Sequence, residues 1–224
     1  MRGMTSTSQA LRRFRDPVNG FLHFGALLAS LVGAVLMWVH TRGDWSAMVY
    51  VVGMAGCFVG SSLHHLVVGS RQLEMRLLKL DHAAIYPYIA GSYTPICIHK
   101  LPAPAGLYLL AAVWAIALGG IVYKLGFAAD QVDVNDPPGL VDTLIYIAMG
   151  WLSVTQIVPL IAHSAPGTLQ LMVAAGAAYS LGGLILARKW FDFWPGRFGH
   201  HEIWHVMVII GSACVYAYVW INLA

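Results

Sequence analysis

Three histidines and a glutamate at the start of the last apolar stretch have the residue types and spacing of a metal site. The stretch reads His200-His201-Glu202-Ile203-Trp204-His205 and opens an apolar run that continues to Ala224. On a helix, His201 and His205 are four residues apart and share one face. Two imidazoles on one helix face are common ligands of Zn²⁺, but a zinc site needs more of them. The remaining ligands have to come from other helices, at positions that lie level with His201 and His205.

The composition is that of an integral membrane protein. The chain is 58% hydrophobic and only 10% charged, whereas soluble domains carry about 25% charged residues. The apolar runs do not alternate as the strands of an outer-membrane barrel do, so we expect an all-α protein. Cys57, Cys97 and Cys214 all lie in apolar runs and match no metal or disulfide pattern. With a net charge of only +3, we expect the lipid bilayer as a partner and no nucleic acid.

Hydropathy predicts seven transmembrane helices in a bundle. We expect residues 1–17 to form a cytoplasmic N-terminal segment and residues 18–224 to form one seven-transmembrane domain. The predicted spans are residues 18–39, 46–69, 81–99, 104–123, 140–161, 168–187 and 201–222.

The distribution of basic residues predicts the orientation of these spans. With a cytoplasmic N-terminus, only Arg42 and Lys100 of the 13 Lys and Arg residues lie outside, which leaves 11 on the cytoplasmic side. Such an asymmetry indicates a cytoplasmic N-terminus and an outer C-terminus. We therefore expect a multi-pass protein of a bacterial inner (plasma) membrane.

This topology brings several polar residues to the cytoplasmic ends of their helices. Ser61 and His65 lie near the end of span 2, Asp81 begins span 3, and His201 and His205 begin span 7. All of them fall within about 10 Å of the cytoplasmic edge at 1.5 Å per residue. Because ionisable residues inside a membrane are costly, this convergence indicates a function.

The convergent residues predict a catalytic zinc site. His65, His201 and His205 would supply three imidazoles and leave a fourth position open, as catalytic zinc sites do. Zinc lowers the pKa of bound water to about 7. Asp81 could hold and deprotonate that water, and Ser61 could hydrogen-bond the water or a substrate carbonyl.

Several of these polar residues also fit purely structural roles. The three histidines could form a hydrogen-bond network without a metal, and Asn19 and His23 fit better as structural neighbours than as ligands. Asp142 could pair with a nearby residue or stabilise a helix N-terminus. The His201-Glu202-x-x-His205 pattern also occurs in zinc proteases, but the 19 residues after His205 contain no His, Asp or Glu to complete such a site.

Four stretches resemble motifs of the hemolysin III family, relatives of the progestin and adipoQ receptors. The stretches are Asn19–His23, Ser61–His65, Asp81–Pro95 and His201–Val206. The resemblance implies a seven-helix bundle with an intramembrane zinc held by His65, His201 and His205 on the cytoplasmic side. It also implies that Asp81 holds the zinc-bound water, with Ser61 beside it. Asp16 stands where members of the family often have a glutamate. The resemblance further implies kinship with alkaline ceramidases.

The function we expect is zinc-dependent hydrolysis of a lipid amide or ester in the cytoplasmic leaflet. Short loops and a site inside the membrane favour a membrane lipid as substrate or ligand, entering sideways. One alternative is a membrane-state sensor or receptor-like regulator with a structural zinc, and a third is a pore-forming hemolysin. The sequence identifies neither the lipid nor the oligomeric state.

Overall fold

The described part of the chain is helical, as the sequence predicts. A computed structural model describes residues 14–127, 138–195 and 197–223. A π-helical turn, Tyr123–Phe127, extends the fourth helix, and a 3-10 segment, Leu152–Gln156, connects the fifth to the sixth. The α-helices of the described residues are α1 Pro17–His40, α2 Trp45–Leu66, α3 Arg71–His99, α4 Ala105–Val122, α5 Leu140–Trp151, α6 Ile157–His163, α7 Leu169–Arg188 and α8 His200–Asn222.

Among the described residues, six helical segments are long and apolar enough to cross a membrane. They match six of the predicted spans to within about four residues at either end. Large apolar side chains cover their outer faces, such as Val35 and Val158, which are 65% and 74% exposed and require lipid around them. The six segments are Pro17–His40, Trp45–Leu66, Ala105–Phe127, Leu140–His163, Leu169–Arg188 and His200–Asn222.

The third helix differs from its predicted span. We expected a span over residues 81–99 preceded by a loop, but α3 begins ten residues earlier, at Arg71. The Ser70 hydroxyl accepts a hydrogen bond from the Leu73 amide and caps this start. The first turns of α3 are charged, so hydropathy could not reveal them. α3 is not among the six segments that are apolar enough to span.

The packing of α3 explains its polarity. It contacts α2, α4, α5 and α8, so protein rather than lipid surrounds much of it. Glycines allow α2 to approach it closely: a Cβ on Gly53 would lie 2.9 Å from the Pro87 carbonyl oxygen, and one on Gly91 would lie 3.0 Å from that of Val49. A helix enclosed in this way can carry polar side chains that are satisfied by its neighbours.

The segment formed by α5 and α6 is interrupted in its middle. Pro159 has no amide hydrogen and crowds the carbonyl four residues earlier, so regular α-helix is disfavoured just before it. Tyr93 of α3 satisfies backbone groups next to the interruption. Its hydroxyl accepts a hydrogen bond from the Ser153 amide at 2.9 Å and lies 2.6 Å from the Gly150 carbonyl oxygen, to which it donates.

The contacts of α1 and α7 close the bundle. α1 packs against α2 and α8, and α7 packs against α5 and α8. The beginning of α1, the end of α2 and the beginning of α8 therefore meet at one end of the molecule. This is the end that contains the candidate site. Of the predicted cytoplasmic N-terminal segment, residues 1–13 lie outside the described residues, and with them Arg2, Arg12 and Arg13.

Candidate metal centre and its cavity

Three imidazoles converge where α2 ends and α8 begins. His65 lies one residue before the last residue of α2, and His201 and His205 lie on the first turns of α8. The centroids of the three rings form a triangle, each pair 4.9 Å apart. The structure thus brings together the three histidines that the sequence predicts as ligands.

The three histidines fit a zinc ion. One nitrogen from each ring lies within 4.8 Å of the others, and His65 and His205 are 1% and 2% exposed. Both ring nitrogens of His65, and Nδ1 of His205, have no hydrogen-bond partner among the described residues. Buried imidazole nitrogens without partners are costly. Ligand nitrogens of a tetrahedral zinc site lie about 3.3 Å apart, so small side-chain rotations would close the site.

A carboxylate and an amide support the triangle from α1. Asp16 Oδ2 lies 3.3 Å from His65 Nδ1, a contact whose geometry falls short of a hydrogen bond. The Asn19 amide donates to Asp16 Oδ2 at 2.6 Å and to Glu202 Oε1 at 2.9 Å. Glu202 Oε2 in turn accepts the Gly199 amide at 2.7 Å, which holds the start of α8. Asn19 therefore links Asp16, which lies beside His65, to α8, the helix that carries the other two histidines.

The position of Asp16 is that of an outer partner of a metal ligand. A carboxylate beside one nitrogen of a metal-binding histidine orients the ring and leaves the other nitrogen for the metal. Burial by itself raises the pKa of the Asp16 carboxyl, but the contacts with His65 and Asn19 outweigh it and hold the pKa below its ordinary value. The sequence suggested Asp16 through the family resemblance, but it left the role of Glu202 open.

Asp81 and Ser61 lie beside the triangle. An oxygen of Asp81 and ring nitrogens of His64 and His65 lie within 4.8 Å of one another, and the buried Ser61 side chain lies beside the Asp81 carboxylate. Arg15 lies 3.0 Å from His64 Nε2 and donates to it, which makes that nitrogen unavailable to a cation. The structure thus places both predicted catalytic residues next to His65.

The structure shows the surroundings of two further polar residues, His23 and Asp142. Both ring nitrogens of the buried His23 have no hydrogen-bond partner among the described residues. The His23 ring lies 3.8 Å from that of His205, centroid to centroid, outside the group that could hold an ion. Asp142 accepts a hydrogen bond of 2.6 Å from Lys124, so it pairs with a neighbour, one of the two roles that the sequence left open.

A narrow cavity leads away from the triangle into the bundle. It has a volume of about 180 Å³ and is lined by α3, α5, α6, α7 and α8, with His23 of α1 and Cys57, Ser61 and His64 of α2 at its polar end. Along α3 it extends from Asp81 to Ile96, which is about 22 Å at 1.5 Å per residue. Most of its lining is apolar. Four of the lining residues are also exposed, namely Trp151, Val154, Ile157 and Val173. The cavity therefore opens sideways between the helices that carry them.

The apolar helices and the buried histidines define a multi-pass helical membrane protein with a polar centre at one end of the bundle. Residues 11–216 match the family model described as Haemolysin-III related. The chain is 33% identical to Hemolysin-3 of Bacillus cereus over 96% of each chain. It is 32% identical to the Hemolysin-3 homolog of Bacillus subtilis (strain 168), over 88% of this chain and 89% of that one.

A more distant relative links the chain to receptors. The Heptahelical transmembrane protein ADIPOR2 of Oryza sativa subsp. japonica is 27% identical over 79% of this chain and 81% of its own. The chain belongs to the haemolysin-III related family, which confirms the resemblance drawn from its motifs, including the relation to adiponectin-type receptors.

Proposed function

We propose that the protein is a zinc-dependent hydrolase of lipid amides or esters, with its site in the cytoplasmic leaflet. Its topology would be seven spans, with α3 as the seventh, the N-terminus cytoplasmic and the C-terminus outside. The excess of Lys and Arg at one side supports this orientation. The name of the rice relative, a heptahelical protein, supports the number of spans.

One observation carries the proposal: the histidine triangle lies at the end of an apolar cavity with a carboxylate beside it. His201, His205, Asp81 and Ser61 all line this cavity. An apolar channel about 22 Å long, measured along α3, suits an acyl chain, since a leaflet of the hydrocarbon core is about 15 Å deep. The lateral opening gives a lipid a path from the bilayer.

The chain's own residues have distinct tasks in the reaction. His65, His201 and His205 would hold Zn²⁺, which would supply Lewis acidity and lower the pKa of a nearby water. Asp81 accepts the proton of the attacking water and returns it to the leaving amine or alcohol. Ser61 holds the Asp81 carboxylate in place. The apolar cavity positions the acyl chain and excludes bulk water, which strengthens electrostatic interactions at the carbonyl.

The closeness of Asp81 to His65 favours a second candidate function. If Asp81 itself binds the cation as a fourth ligand, the site is closed, and closed four-ligand zinc sites are structural. The protein would then be a membrane-state sensor or receptor-like regulator whose cavity binds a lipid without cleaving it.

The test is hydrolysis by the purified, zinc-loaded protein. The probes are a fluorescent N-acylsphingosine and a matched acyl ester, with release of the fatty acid as the readout. We expect Asp81→Asn to retain zinc and lose at least about 100-fold in rate, because a positioned acid-base group contributes that much. Asp192→Asn, in the exposed loop before α8, is the matched control and should keep full activity.

The outcomes separate the two functions. Release that needs both zinc and Asp81 supports the hydrolase. A zinc-loaded wild type that releases no fatty acid from either probe contradicts it. Loss of zinc in Asp81→Asn makes Asp81 a ligand and favours the sensor.

A further inference from the structure

A cluster of hydroxyl groups lies on the cavity two helical turns beyond the histidine triangle. Tyr88 of α3 and Tyr179 of α7 line the cavity, and Ser212 of α8 is buried behind them. The Tyr88 oxygen lies 2.7 Å from the Tyr179 oxygen and 2.7 Å from Ser212 Oγ. We call these three residues the hydroxyl cluster.

The depth of the hydroxyl cluster follows from helix geometry. Tyr88 is seven residues beyond Asp81 on α3, and Ser212 is seven beyond His205 on α8. At 1.5 Å per residue both intervals are about 10 Å. The cluster thus lies about two thirds of the way through a leaflet whose apolar depth is about 15 Å.

Each hydroxyl proton of the cluster is already donated to a protein acceptor. Ser212 donates to the Val208 carbonyl oxygen at 2.7 Å, and Tyr88 donates to Ser212. Because each hydroxyl has one proton, the proton of Tyr179 is donated to Tyr88 at 2.7 Å or to Ser212 Oγ at 3.3 Å. The Tyr179 oxygen is then left with acceptor lone pairs only. Since Tyr179 is half-buried and lines the cavity, it offers an acceptor to a bound molecule.

We infer that this cavity binds acyl chains that carry a hydroxyl group near their middle, and that Tyr179 accepts the hydrogen bond from that hydroxyl. This inference rests on the proposed function, in which the polar end of a lipid lies at the histidine triangle and its chain fills the cavity. In the bilayer core a mid-chain hydroxyl has no hydrogen-bond partner, which is costly. In the cavity it meets an acceptor at the matching depth.

The test compares three fatty acids that compete with radiolabelled stearate for the purified, zinc-loaded protein in detergent. The acids are stearate, 10-hydroxystearate and 2-hydroxystearate. The 2-hydroxy isomer has the same composition as the 10-hydroxy acid, but its hydroxyl lies beside the carboxylate and does not reach Tyr179. We expect the 10-hydroxy acid to bind about three- to tenfold more tightly than its isomer, the value of one net hydrogen bond.

Two variants assign the preference to Tyr179. Tyr179→Phe should bind the 10-hydroxy and 2-hydroxy acids with equal affinity, because it lacks the acceptor oxygen. Tyr218→Phe is the matched control: its hydroxyl contacts Ser164 and it does not line the cavity, so this variant should keep the preference. A role of Tyr179 limited to packing would weaken the binding of all three acids equally.

The outcomes distinguish this inference from the function on which it rests. Equal binding of the two hydroxy isomers by the wild type, with stearate still bound, overturns the inference and leaves the lipid cavity intact. A preference that persists in Tyr179→Phe also overturns it. Failure of every acid to bind contradicts the lipid cavity itself, and the inference with it.

Discussion

The ion pair between Lys124 and Asp142 gives a quantitative prediction about how the bundle is held together. Lys124 belongs to the π-helical turn after α4, and Asp142 lies in the first turn of α5. Their side chains are 8% and 19% exposed, and Lys124 Nζ lies 2.6 Å from Asp142 Oδ2. The pair therefore joins α4 to α5 through buried charges.

Replacing one residue of the ion pair should lower the free energy of unfolding more than replacing both. Asp142→Leu leaves a buried ammonium without its partner, which typically costs about 3–5 kcal/mol. For a chain of this size that lowers the melting temperature by roughly 6–20 °C. Lys124→Met should cost about half as much, because the more exposed Asp142 is still partly hydrated. The double variant replaces the pair by apolar side chains of similar volume and should lie within about 1 kcal/mol of the wild type.

The assay is thermal unfolding in one detergent, followed by size-exclusion chromatography of the heated samples. All four proteins of the cycle are measured together, so that the coupling between the two sites is obtained directly. If the double variant loses the sum of the two single losses, the residues act independently and the reasoning from buried charge is wrong.

Three further predictions concern residues that support the site or the fold. Asp16→Asn should weaken zinc binding about 10- to 100-fold, measured by competition with a chelator, because it removes the carboxylate beside His65; unchanged affinity would exclude that role. Tyr93→Phe should cost about 1–3 kcal/mol in thermal stability, because it leaves backbone groups of a membrane segment without partners; an unchanged melting temperature would contradict this. Burial raises the pKa of the Asp44 carboxyl, but hydrogen bonds at the start of α2 and the charge of His99 outweigh it and hold the pKa below 3.8. This carboxylate should therefore stabilise the protein fully above about pH 5, and its stabilising effect should be lost as the pH falls below its pKa. Asp44→Ala should lower the free energy of unfolding by about 1 kcal/mol at pH 7 and by progressively less below pH 4. A loss of stability that does not depend on pH would refute this prediction.

Hydropathy predicted the lipid-facing helices well because lipid contact constrains composition directly. Their outer faces must be apolar, and this makes the runs visible in the sequence. α3 is the exception because its neighbours are helices. Its charged start at Arg71 was missed, although Ser70 is a typical helix-capping residue and was a usable signal.

The break between α5 and α6 was also missed. Pro159 disfavours regular helix just before it, where the 3-10 segment lies, but the length of that segment depends on the hydrogen bonds of Tyr93 on α3. Such tertiary compensation is not visible in one stretch of sequence.

The sequence predicted those features of the candidate site that depend only on how deep a residue lies in the membrane. Topology and spacing were enough to bring His65, His201 and His205 to one end of the bundle. The contacts of Asn19 with Asp16 and Glu202 depend on how α1 and α8 are rotated against each other, and hydropathy does not specify that rotation. The hydroxyl cluster was missed for the same reason.

The central claim is that three histidines hold a zinc ion, and elemental analysis of the purified protein tests it most directly. The wild type is compared with a variant in which His65, His201 and His205 are all replaced by Ala, and with His163→Ala, an exposed histidine of α6, as the control. We predict about one zinc per chain in the wild type and in the control, and none in the triple variant. A wild type purified without metal, or a triple variant that keeps its full zinc content, would contradict this claim.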